Sequence, residues 1–204
     1  MTVVVRREAY LEMGLEVLAD SGYGGLKLAP VCDRLGVTTG SFYHHFANWS
    51  AYTRELITHW VTTYTEQLVT LARADADPRR RIETLCHVGL RLPHGAEVAI
   101  RAWSAVDDDV RAAQAQVDRQ RFEVMYQSAL EILEHRRQAQ LFANWAVYLL
   151  VGYEQAMLPR DPVGQSWIID QLLDALDSGR FASVPDESPG LPADGGPTLP
   201  ENRR

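Results

Sequence analysis

The stretch LAPVCDRLGVTTGSFYHHF, residues 28–46, decides how the N-terminal end of this chain folds. Two helices that cross closely need a small side chain at the crossing, a glycine to take the left-handed turn between them, and an apolar anchor on the second helix. Cys32, Gly36 and Phe42 stand at those places, four and six residues apart, and Leu28, Val31, Leu35 and Val37 add the remaining apolar contacts. The spacing predicts helices over residues 28–35 and 39–46 joined at Gly36, a helix-turn-helix. Thr39, Ser41, Tyr43 and His44 are left on the outer side of the second helix. A short helix with a polar outer face suits a DNA major groove, where its hydroxyls meet base edges or phosphates and Tyr43 and His44 donate to backbone oxygens. An ordinary pair of core helices also tolerates Cys-Gly-Phe spacing, so the outward polar face carries the reading.

Outward from this segment the pattern is helical everywhere. Apolar residues recur at three and four, and alternation at period two is absent. A first helix is expected over residues 6–21, with Tyr10, Leu11, Gly14, Val17 and Leu18 inward, a stop at Gly22 and a turn at Gly24 and Gly25. Asn48 is placed to cap a long helix over residues 49–73, with Leu56, Trp60, Tyr64, Leu68 and Leu71 down one side. Pro78 opens the next helix, and Pro93 with Gly95 is expected to close it ahead of a short helix ending at Trp103. Asp107, Asp108 and Asp109 precede a helix reaching about Leu133, and acidic residues there favour the helix dipole and cap free amides rather than forming a metal or catalytic cluster.

The last two helices, over residues 138–158 and 162–177, are apolar nearly all round. LFANWAVYLLVGY and WIIDQLLDAL cannot both be buried by one small core, so one face is assigned to the body and the other to a second subunit; the alternative is a fully buried hairpin in a monomer. Beyond Ser183 the chain turns to Pro, Gly and acidic residues, and residues 183–204 are expected to be disordered. The fold class is therefore all-α. A three-helix helix-turn-helix head over residues 1–48 precedes a helical ligand-binding and dimerisation body over residues 49–182.

Bulk properties narrow the function. A chain of 204 residues with a formal charge of -7 does not coat nucleic acid or acidic membranes by charge alone, so any DNA contact must be local. Cys32 and Cys86 lie far apart in apolar patterns without metal spacing and read as buried reduced thiols. The N-terminus has no secretory pattern, and the longest apolar stretch falls short of the ~20 residues of a membrane span, so a cytoplasmic location and no membrane partner are expected.

Residues 6–52 resemble the DNA-binding head of the tetracycline-repressor (TetR) family of bacterial regulators. Gly36, Val37, Gly40, Ser41, Phe42, Tyr43 and Phe46 match the family's turn and recognition helix position by position, and Gly22-Tyr23 and the helix order of the body also match. The resemblance implies a homodimer on a palindromic operator in double-stranded DNA, Lys27, Thr38, Thr39, Gly40, Ser41, Tyr43 and His44 at the DNA, and a small-molecule effector in a body cavity that alters the spacing of the two heads. Three departures stand out. Lys27 replaces a capping threonine and can reach a phosphate, Pro30 removes an amide from the second helix, and Asn48 stands where a lysine is common. Arg6, Arg7, Lys27 and Arg34 are opposed by Glu8, Glu12, Glu16, Asp20 and Asp33, so the head is not net basic and modest, salt-dependent affinity is expected.

In the body, Trp60, Tyr64, His87, Trp103, Tyr126, Trp145 and Tyr148 are candidate ligand-binding residues, amphipathic side chains on inward-looking stripes. Glu83 and His87, four apart, lack the third and fourth ligands of a metal site, so neither a metal nor another cofactor is expected. A helical enzyme using His87, Glu83 or the Asp107 cluster lacks a nucleophile with a placed base. A protein that keeps this fold as an interaction or ligand-binding module without binding DNA is the remaining alternative, suggested by the acidic head and Asn48.

Overall fold

The computed structural model describes residues 5–185, and among them every regular element is helical. The expected tail lies outside the described residues from 186 onward. Just ahead of it, Arg180–Ser183 forms a 3-10 turn that buries Phe181, and Val184, inside the expected tail, packs on the same core. Phe181, isolated among polar residues, has no periodic pattern to announce it.

Helix α1 spans Arg7–Gly25 and kinks at Gly22, whose φ of 66° marks the expected stop. Helix α2, Leu28–Leu35, ends at Gly36 in the left-handed region, and α3, Thr39–His45, begins behind a Thr38 hydroxyl that accepts from the Ser41 amide. Asn48 caps α4, Trp49–Val61, by accepting from the Ala51 amide at 2.8 Å. That helix continues through a π turn, Thr62–Glu66, into α5, Gln67–Arg73, so the long rod is real but carries an inserted residue where its sequence gave no sign of one.

Helix α6 spans Pro78–Gly89, so the expected stop at Pro93 and Gly95 is corrected: these residues open α7, His94–Trp103. The reason is a close approach. A Cβ on Gly95 would lie 2.9 Å from the Ala19 backbone, so this glycine lets α7 lie against α1. Helix α8, Asp108–Leu133, starts at Asp107, whose carboxylate accepts from the Asp109 and Val110 amides at 3.1 and 3.2 Å. Helices α9, Arg136–Gln155, and α10, Pro162–Asp177, complete the body.

Two apolar cores hold these elements. The first joins Tyr10, Leu18, Phe42, Phe46, Tyr52 and Trp60 to Ile100, Trp103 and Val117, so the interior of the head runs on into α7 and α8. Tyr52 donates to the Tyr10 carbonyl at 2.9 Å, and a Cβ on Gly14 would overlap the Tyr52 hydroxyl, which fixes α4 against α1. The second core, around Ile82, Met125, Phe142, Leu172 and Leu176, binds α6, α8, α9 and α10. Both cysteines are buried free thiols, and burial pushes Cys86 up to about 12 and raises Cys32. The thiolate is the reactive form. Native protein at pH 8 is therefore expected to take up iodoacetamide at neither cysteine within the time that reacts both in urea, as read by intact mass.

Helices α9 and α10 do not form a fully buried hairpin. Ala139, Phe142, Ala143, Leu172 and Leu176 face the core, while Tyr148, Val163 and Trp167 are 68, 81 and 62 % exposed. Among the described residues no helix is long and apolar enough to cross a membrane.

Candidate nucleic-acid interface and body cavity

The head is built so that one short helix protrudes. Gly36 turns the chain at φ 66°, and its amide and that of Val37 close the turn on the Asp33 and Cys32 carbonyls. Phe42 and Phe46 then point inward and pack with each other and with Tyr10, Trp49 and Tyr52 at ring separations of 5.0 to 6.0 Å. Their burial fixes which side of α3 faces out. Thr38, Thr39, Gly40, Tyr43 and His44 are exposed on that side, and Lys27 is exposed at the start of α2 with no capping bond from its side chain. Ser41 is half-buried, and its hydroxyl lies 2.8 Å from the Tyr10 hydroxyl. Tyr43 meets Phe42 edge-on, with ring centroids 5.3 Å apart, which leaves its hydroxyl clear of the core.

The charges nearby are largely committed. Arg7 pairs with Glu55 and lies 4.6 Å over the Phe46 ring, and Arg34 pairs with Asp20 at 2.6 Å. Lys27 makes no ion pair among the described residues. The α3 face and the start of α2 thus offer hydroxyls, an imidazole, a phenol and the Lys27 ammonium rather than a field of positive charge.

Behind the head lies a two-lobed apolar cavity. One lobe, about 60 Å³, is bounded by Tyr64, Thr65, Leu85, Arg121 and Leu150; the other, also about 60 Å³, by Leu90, His94, Tyr153, Gln165 and Leu172, and the two share Leu85, Gly89, Met125, Ala146 and Leu150 as walls. Of the seven aromatic and imidazole residues singled out from the sequence, Tyr64 lines it. Trp60 is buried in the first core, donating to Glu97 at 2.9 Å, and Trp103 stacks on Tyr23 at 4.6 Å. Tyr126 stacks on Phe122, His87 is exposed with Nδ1 at 2.8 Å from the Glu83 carbonyl, and Trp145 and Tyr148 face outward. Among the described residues no cluster of three or more His, Cys, Asp or Glu is placed to hold a metal.

Sequence reading missed the polar residues of this region because they pair across long separations. Glu97, 1 % exposed, accepts from Trp60 and from both terminal nitrogens of Arg121, which also reaches Thr65. His94 Nδ1 lies 3.2 Å from Glu154, and Arg101 forks onto Asp118 at 2.8 and 2.9 Å. The cavity also touches the head. The Tyr64 hydroxyl donates to Glu12 of α1 at 3.2 Å, and the other oxygen of Glu12 is 2.6 Å from His59 Nε2. Burial and the Glu12 charge push the Tyr64 phenol up, so it stays a donor.

Comparison with known proteins agrees with this geometry. The model of the family described as bacterial regulatory proteins, tetR family, matches residues 11–49, the span from α1 through Trp49. The HTH-type transcriptional regulator BetI of Rhizobium meliloti (strain 1021) is 26% identical over 101 residues, half of this chain and half of that protein. The chain therefore aligns with about half the length of that curated relative. A transcriptional regulator of Rhodococcus sp. Rha1 superposes with a TM-score of 0.65 at 16% identity, over 86% of this chain and 97% of that one. AibR, solved in complex with isovaleryl coenzyme A and operator DNA, superposes with a TM-score of 0.64 at 13% identity, over 83% and 96% of the two chains. At these identities the superpositions speak for the fold, and the match over residues 11–49 speaks for the head. Together they show that residues 11–49 match the tetR family of bacterial regulatory proteins and that the chain shares the fold of solved transcriptional regulators.

Proposed function

We propose that the chain is a ligand-responsive, DNA-binding transcriptional regulator, a homodimer that represses from a palindromic operator and is released by a small molecule. The observation that carries this reading is the protruding outer face of α3, where Thr38, Thr39, Gly40, Tyr43 and His44 are free to enter a groove while Phe42 and Phe46 anchor the helix from behind. In this reading residues 1–48 read DNA, with Ser41 oriented by Tyr10 and Lys27 on a phosphate, and residues 49–182 bind the effector and the second subunit. The family match over residues 11–49 and the operator complex of the superposable AibR support the DNA role. The ion-paired head favours one rival, a module that binds ligand without DNA.

A second copy is the natural occupant of the exposed stripe on α9 and α10, because a two-fold axis lets the same apolar patch cover itself. Two heads so joined read half-sites about 34–36 Å apart. In this reading a ligand in the cavity changes that spacing. A molecule entering beside Tyr64 disturbs the hydroxyl that ties α4 and the π turn to Glu12 on α1, and the needed coupling is ordinary, about 1–3 kcal/mol. Tyr64→Phe is therefore expected to shrink the ratio of operator affinity without and with effector by about fivefold. Fluorescence anisotropy on labelled operator measures it; a ratio equal to that of the wild type would remove Tyr64 from the route.

The test of the function as a whole is selection of bound sequences from random duplex DNA by the purified full chain, followed by competition with candidate small molecules. Enrichment of an inverted repeat, lost when a small molecule is added, is the expected result. Failure to enrich any sequence at low salt would favour the ligand-binding module.

A further inference from the structure

Resting on the effector reading above, one end of the cavity has a chemistry of its own. His94 forms part of the wall of the lobe beside α10, is 9 % exposed, and has Nε2 without a partner among the described residues. Its Nδ1 faces Glu154, whose side chain is 0 % exposed and whose Oε2 is likewise unpartnered. A carboxylate accepts, so Nδ1 carries a proton toward Glu154, and a neutral ring then has its lone pair on Nε2, on a residue that lines the lobe. Tyr153 meets the His94 ring edge-on at 5.2 Å, which holds the imidazole in place.

With the imidazole neutral, the charges around this pair do not cancel. Glu97 and Asp118 are matched by Arg121 and Arg101, leaving the Glu154 carboxylate as the third acid against two guanidinium groups. Arg101 lies close enough to feel Glu154 but is forked onto Asp118 and is not part of the cavity wall. Burying an uncompensated charge is costly, and a ligand that brings the opposite sign recovers that cost.

We propose that this lobe takes the head of a small apolar molecule ending in a protonated primary amine, which donates to His94 Nε2 while Glu154, behind the imidazole, orients the ring and supplies the countercharge. The apolar body lies against Leu85, Leu90, Leu149, Ile169 and Leu172. A carboxylate in the same place would face an acceptor and add a second negative charge beside Glu154. An alcohol could donate but would leave the charge unmatched.

The experiment is isothermal titration calorimetry of the full-length protein with hexylamine, 1-hexanol and hexanoate, which share one alkyl body. Hexylamine is expected to bind at least about tenfold more tightly than hexanoate, with hexanol between, and Glu154→Gln to bring the three within about twofold of one another. Should circular dichroism show that variant unfolded, His94→Gln, which moves the polar atom off the imidazole position, is expected to abolish the same preference. Hexanoate binding as tightly as hexylamine, or a preference that survives the folded variant, overturns the proposal and leaves the effector reading standing. Heat from none of the three overturns the proposal, and the competition experiment on selected DNA decides the effector reading separately. The predicted preference without any change in operator affinity upholds the amine site and overturns the effector reading instead.

Discussion

Glu97→Ala is expected to cost about 3–5 kcal/mol of stability, the range for removing one partner of a buried ion pair. Glu97 is 1 % exposed and accepts three hydrogen bonds, from Trp60 at 2.9 Å and from Arg121 at 3.0 and 3.1 Å. Truncation leaves an indole N–H and a guanidinium, itself 13 % exposed, without their acceptor in an interior that water reaches poorly. Since a domain of this kind has about 5–15 kcal/mol in all, the variant should unfold at a much lower urea concentration. Glu97→Gln keeps an acceptor for Trp60 and should fall between the two. An alanine variant within about 1 kcal/mol of the wild type would show that Arg121 finds other partners at little cost.

In the proposed two-fold dimer, Trp167→Glu should leave a monomer and lower operator affinity by about 100-fold. Trp167 is 62 % exposed on α10, one turn from Val163 at 81 %, Tyr148 of α9 is 68 % exposed, and Trp167 is not among the residues of either apolar core. At a two-fold interface the substitution is made twice and sets two carboxylates into an apolar contact, where each is stripped of water without a partner. Loss of the second head removes an effective concentration worth about 10²–10⁴ in avidity, so DNA binding falls although no residue at the DNA has changed. Sedimentation velocity and anisotropy on one sample check both halves of the expectation. A variant that stays dimeric places the subunit contact elsewhere.

The head was legible in the sequence because its determinants are local. Gly36 and Gly22 take the left-handed backbone that only glycine adopts freely, and Phe42 and Phe46 lie on the inner side of a helix too short to have any other. The caps at Asn48 and Asp107 were legible for the same reason. Gly95 was not. Pro-x-Gly reads as a stop when only the chain is in view, and its purpose is the contact with Ala19, 76 positions away. The candidate ligand residues illustrate a further limit. Helical spacing shows that Trp60, Trp103 and Tyr126 face inward, but this body has two interiors, and spacing along one helix does not say which of them a side chain enters. Trp145 and Tyr148 sit on a helix whose two apolar faces are indistinguishable by composition, and the outer one received them. Glu97–Arg121 and His94–Glu154 join residues 24 and 60 positions apart, so no motif announces either pair.

The central claim is that the outer face of α3 reads DNA. The direct measurement is fluorescence anisotropy of the wild type and Tyr43→Ala on a duplex chosen from the random pool, at two salt concentrations, with sedimentation and thermal melting confirming that both proteins are folded dimers. Tyr43 is 53 % exposed and contributes little to the core, so the variant should keep its stability and lose at least about tenfold in affinity, as removal of one well-placed phosphate or base contact predicts. A folded, dimeric Tyr43→Ala protein that binds the same duplex as tightly as the wild type would contradict the account.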